Sequence, residues 1–276
     1  MPDFVDMPIF VIFVSQISQP MKRIALLIFT LALAVTRLSA YTAGEAADIL
    51  AENAETATGV CPFELDIAST ITSFSYDRDE NIFSAMVLVN TDEFPLWMFL
   101  RDEGDSYAKI VMTRYILGSE RRFLLKNIID AGAMFSFCFY VDSGDSISYG
   151  LNLDELKSLY DYHISDSERW AMTLEAMVLI LNCDTPQKID DLLTLSGYEW
   201  GDNCVIINYM LEDQDMPTLL CDIHEHSEMI KSDTVSQIEA DDLKEILMAA
   251  GANLVIRYRS ALTGDSCDIV VSPDEF

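Results

Sequence analysis

The chain has 276 residues, half of them hydrophobic, and carries 46 acidic against 17 basic side chains for a formal charge of −29. That much negative charge repels phosphate backbones and anionic lipid heads, which argues against nucleic-acid binding. The ample apolar content excludes intrinsic disorder.

Taken in order, the chain opens on a leader. From Met21 it reads "MKRIALLIFTLALAVTRLSA": Lys22 and Arg23, an apolar run from Ile24 to Val35, then Ser39 and Ala40. This is the order of a secretory signal peptide, with translation starting at Met21 and cleavage after Ala40. The run is about a dozen residues, short of the roughly 20 that span a bilayer. Residues 1–40 are therefore read as a leader, 41–164 as one repeat copy and 165–276 as a second. The mature chain is expected to be exported, periplasmic or extracellular, with no membrane span.

The repeat is visible directly. "GDSISYGLNLDEL" (144–156) returns as "GDSCDIVVSPDEF" (264–276), and "LLKNIIDAGAMFSFCFYV" (124–141) as "LKEILMAAGANLVIRYRS" (243–260). Further upstream, Pro62, Asp66, Thr70 and Tyr76 align with Pro186, Asp190, Thr194 and Trp200. Such self-similarity marks one folding unit laid down twice.

Each unit reads helix, strand, strand, helix, strand, strand. In copy one the helix covers about 43–58 and two strands cover 67–76 and 81–89. A helical region over 95–131, broken near Gly118, precedes strands at 133–142 and 145–151 and a helix at 153–160. Copy two repeats this at 166–182, 191–200, 204–212, 216–250 (also broken), 253–261 and 266–272. Trp170, Leu174, Met177, Val178 and Leu181 form one apolar stripe on the helix at 166–182. Short polar loops within each strand pair give hairpins. The expected fold class is α+β: two tandem helix–hairpin–helix–hairpin units, each an antiparallel four-stranded sheet with helices on one face.

The acidic pairs that recur have a structural reading. Asn152 with Glu155, and Ser272 with Glu275, have capping-box spacing, and Pro273 stands where a first helical residue would. Gly132 and Gly251 follow the last apolar turn of a helix, where a left-handed residue closes it.

Chemistry-bearing constellations are few. "CDIHEHSE" offers Cys221, His224 and His226, with Glu225 and Glu228 beside them, as the candidate zinc or copper ligands. A helix would point His224 and His226 to different sides, and the competing reading is a solvated helix surface. "DRDEN" (77–81) resembles the start of a calcium loop, but Ile82 and Leu88 stand where Gly and Glu are required, so it reads as a turn. No GxSxG elbow or phosphate-cradling glycine loop appears, and no catalytic residue or cofactor is assigned. The six cysteines, all after residue 60, are even in number, which in an exported chain points to one or two disulfides. Against this, a domain of this size does not need bridges, and free Cys packs as a small hydrophobe. "FPLWMFL" (94–100) reads as core, with a partner-facing patch as the alternative.

The leader, the Cys61-Pro62 pair followed by Leu65, "SFSYD", "AGAM" and "LNLDEL" are together similar to a group of uncharacterised exported tandem-repeat proteins of gut-type anaerobic bacteria. The resemblance implies export and an α+β fold, and no activity. Copy two departs from it, since Cys183 stands earlier before its proline than Cys61 does. The expected function is that of an exported, non-enzymatic binding protein for a protein or peptide partner. The alternative is a secreted or periplasmic hydrolase or metal-dependent enzyme with a site between the copies.

Overall fold

The computed structural model describes residues 42–90, 95–214, 216, 218–238 and 242–276. The leader at 1–40 lies outside the described residues. Two compact units emerge, divided between Ser165 and Asp166.

In unit one, helix α1 (Ala43–Thr58) starts where Thr42 and Glu45 form a capping box. It packs on a sheet of β1 (Phe63–Asp66), β2 (Ser69–Asp77), β3 (Ile82–Val89), β4 (Met134–Tyr140) and β5 (Ser146–Leu151). These strands lie side by side in chain order. Helices α2 (Leu96–Glu103), α3 (Asp105–Ile116) and α4 (Arg122–Asp130) connect β3 to β4, and α5 (Leu153–Asp161) follows β5. Unit two repeats the plan with α6 (Asp166–Asn182), β6 (Gln187–Lys188), β7 (Leu193–Gly201), β8 (Cys204–Leu211), α7 (Leu219–Glu225), α8 (Ser227–Ile238), α9 (Asp242–Ala250), β9 (Asn253–Ser260) and β10 (Ser266–Val271). Its strands are again neighbours in chain order.

The sheets and their connections differ from the sequence expectation in three respects. Each sheet has five strands, not four, because a short strand after Pro62 or Pro186 folds back on the next one. The turn between them carries no Gly or Asn pair. An aspartate closes it instead: Asp66 accepts from the Ala68 amide and Asp190 from those of Leu192 and Leu193. The sheets are also mixed, not antiparallel. β3 pairs with β4, and β8 with β9, in parallel, because the intervening helices carry the chain back to the end of the sheet where the first strand of the pair began. Finally, each connection holds three α-helices, where two were expected.

The duplicated glycines act as expected. Gly132 (φ 65°) and Gly251 (φ 66°) end α4 and α9 in the left-handed region. In each, the next amide bonds five residues back, Ala133 to Ile128 and Ala252 to Leu247, at 2.9 and 3.0 Å. Capping boxes form at Asn152–Glu155 and Ser272–Glu275.

One face of each sheet carries the core. In unit one Phe83, Phe135, Phe137 and Phe139 are fully buried, and Tyr115 from α3 stacks on Phe135 with ring centres 6.0 Å apart. In unit two Val205, Ile207, Leu254, Ile256 and Tyr258 occupy this face, and Tyr209 stacks on Tyr258 at 5.4 Å. "FPLWMFL" supplies Leu96 and Leu100 to the core, while Met98 is 52% exposed.

Candidate binding surface

Because strand side chains alternate, each sheet has a second face turned away from this core. A bulge at Thr72 in β2, repeated at Ser196 in β7, shapes that face. The backbone just past each bulge is held by the end of the preceding helix. Thr58 Oγ1 accepts from the Phe74 amide at 2.8 Å and donates to its carbonyl at 3.0 Å. In unit two Asn182 performs the same double duty on Tyr198, with both bonds at 2.7 Å. Gly197 is needed beside this clamp, since a Cβ there would meet Asn182 Oδ1 at 3.0 Å.

With the frame matched, the two open faces can be compared row by row. In unit one the cross-strand rows are Ser75–Ser84–Ser136–Gly150, Ser73–Met86–Cys138–Ser148 and Thr70–Leu88–Tyr140–Ser146. None of these side chains on β2 to β5 is charged, in a protein of charge −29, and Glu64 of β1, paired with Thr70, ends the third row. Met86, Cys138 and Tyr140 are only partly buried. The Tyr140 hydroxyl reaches across β3 to the bulge residue Thr72, 3.0 Å away.

The corresponding rows of unit two are Glu199–Ile206–Val255–Val270, Gly197–Asn208–Arg257–Asp268 and Thr194–Met210–Arg259–Ser266. Here charge has replaced hydroxyl. Arg257 forms a two-pronged pair with Asp268, both bonds 2.8 Å, and Asn208 donates to Glu199 at 3.1 Å. The Arg257 guanidinium, acting through its hydrogen bonds, holds the Asp268 carboxyl below its ordinary range. Between these side chains lies a cavity of about 310 Å³, with Ser196, Asn208, Arg257 and Arg259 among its lining residues. The sequence carries a signal for it. In "VIRYRS" the arginines alternate, and period two puts both on one sheet face.

The suggested metal ligands do not converge. Cys221 and His224 lie on α7, while His226 sits just past its end, its Nδ1 at 2.7 Å from the Asp222 carbonyl. His224 Nδ1 instead approaches Cys267 of β10, at 3.7 Å. Among the described residues no cluster of three or more His, Cys, Asp or Glu could hold a metal ion. In "DRDEN", Asp77 accepts from the amides of Asp79 and Glu80, closing a turn.

All six cysteines are free thiols, correcting the expectation of disulfides. Burial pushes the Cys61 and Cys183 thiols up to about 11, and each donates to a helical carbonyl four residues back. Burial of this kind disfavours the thiolate, the form a nucleophile needs, and suits a packing role. The basic residues of unit one pair locally, Arg101 with Asp102, Lys109 with Asp105, Arg121 with Glu120 and Lys126 with Asp130.

No protein-family model and no curated protein matches the chain. Among solved structures, a protein of Pseudomonas aeruginosa, provisionally described as secreted, is similar at 14% identity with a TM-score of 0.35. The match covers 41% of this chain and 98% of that one. Among the described residues no helix is long and apolar enough to cross a membrane.

Proposed function

We propose that this is an exported, non-enzymatic binding protein that engages a protein or peptide partner through the open face of its first sheet. The observation that carries this reading is the contrast between that face and the rest of the molecule. Over β2 to β5 its three central rows hold hydroxyls, Met86, Leu88, Cys138 and Tyr140 and no charge, with Glu64 of β1 at the margin, although the chain as a whole is strongly acidic. A neutral centre with an acidic surround suits a partner that is neutral at its centre and basic at its rim, because such charge complementarity speeds encounter and excludes acidic competitors. The leader supports export. The hydrogen-bonded clamps and caps support a rigid scaffold, which lowers the ordering cost of association.

The test is capture of a panel of envelope and secreted proteins by the wild-type chain and by Met86→Asp/Cys138→Asp. The expected result is a partner that binds the wild type, weakens as salt rises, and is lost in the double variant while the variant remains folded. A partner captured equally by both, or no capture at all, contradicts the reading.

A further inference from the structure

We propose that the cavity on the open face of unit two is a binding site for a small amino carboxylate, whose carboxylate seats between Ser196 and Arg259 and whose amine faces Glu199. This site is independent of partner capture by unit one.

The duplication itself provides the comparison. In unit one the bulge residue Thr72 and the β4 residue Tyr140 meet, hydroxyl to hydroxyl, at 3.0 Å. The structurally equivalent residues in unit two are Ser196 and Arg259, and both line the 310 Å³ cavity. The frame thus brings these two positions together, and in unit two the tyrosine that bridges them is absent. A ligand oxygen placed there would take the role of the Tyr140 hydroxyl.

The charges select the ligand. Arg257 is already committed to Asp268 by two bonds. Among the described residues the Arg259 guanidinium has neither an ion pair nor a hydrogen bond, and it is exposed. A guanidinium fork matches a carboxylate with two parallel bonds. The cavity also includes the Glu199 carboxylate, whose Oε1 accepts from Asn208. A second anionic group on the ligand would face this carboxylate and be repelled, whereas an amine would be attracted. Glu199 and Arg259 stand in different rows on strands separated by β8, so the ligand's two charges should also be separated by several bonds.

Calorimetric titration of the full chain with 5-aminovalerate, diglycine, glutarate and acetate tests this. Saturable binding of 5-aminovalerate or diglycine is expected, with glutarate and acetate about tenfold or more weaker, the scale of one charge-assisted contact. Arg259→Tyr, which installs the unit-one residue, and Arg259→Gln should each weaken binding by about tenfold or more while the protein stays folded. Glu199→Gln should narrow the preference over glutarate. The proposal is overturned if no probe binds below about 10 mM. It is equally overturned if both Arg259 variants bind as the wild type does, or if glutarate binds as tightly as 5-aminovalerate.

Discussion

Asn182, the last residue of α6, holds Tyr198 by both of its backbone polar groups, accepting from its amide and donating to its carbonyl at 2.7 Å each. Thr58 does this for Phe74 with a hydroxyl alone. Different chemistry at the same place implies that the bulge, not the side chain, is what both copies keep. Asn182→Ala and Thr58→Val each leave two backbone groups without their side-chain partner, and each should cost about 1–3 kcal/mol in urea unfolding. Loss in only one of the two variants would mean that the clamps are not equivalent.

The helix-closing glycines offer a second paired comparison. A Cβ at Gly132 or Gly251 would meet nothing within 4 Å, so substitution costs only the left-handed backbone. Ala at either site should lower stability by about 1 kcal/mol, and Asn, which tolerates this conformation, by less. Thermal unfolding of the four single variants checks this.

Acid stability should depend on Asp213, which is 1% exposed. Burial raises its pKa, but hydrogen bonds from Ser260 and the Leu262 amide outweigh it, and the net shift is downward. A carboxyl lowered in the folded state stabilises fully above the unfolded value, about 4. That stabilisation is lost as pH falls through the folded value. Unfolding free energy followed from pH 7 to pH 2.5 should therefore show no loss from this group above about pH 5 and a decline below about pH 4. Asp213→Asn should be destabilised at neutral pH and show a shallower acid decline. An identical acid profile in the variant would contradict the assignment.

Thiol chemistry provides a fourth check. The denatured, unreduced protein should titrate as six free thiols. In the native state the exposed Cys221 should alkylate first, while Cys61 and Cys183, raised to about 11 by burial, should react last. Brief labelling followed by peptide mass spectrometry reads the order. Early labelling of Cys61 would contradict its packing role.

Much of the frame was legible because it is written in local rules. The glycines at 132 and 251 and the acidic pairs at 155 and 275 announce helix ends by spacing alone, and the eight core-facing positions of β3 and β8 announce strands by alternation. Strand direction was not legible. Nothing within "IFSAMVLV" or "MFSFCFY" records whether they run together or opposed, since that is set by a crossover of some forty residues between them. The short strands at Phe63 and Gln187 are not legible either, because Asp66 and Asp190 close the turns with side-chain bonds in place of Gly or Asn. The open faces were hidden for a further reason. Tyr140 and Arg259 align in the sequence, but their difference gains meaning only when Thr72 and Ser196 are seen opposite them.

The central claim is that one mixed-sheet unit occurs twice in the same register, and backbone nuclear Overhauser contacts across the middle of each sheet test it most directly. Parallel contacts pairing Ala85 with Phe137 in unit one and Ile207 with Ile256 in unit two are expected. Antiparallel contacts in either sheet, or a register in one unit displaced from the other, would contradict it.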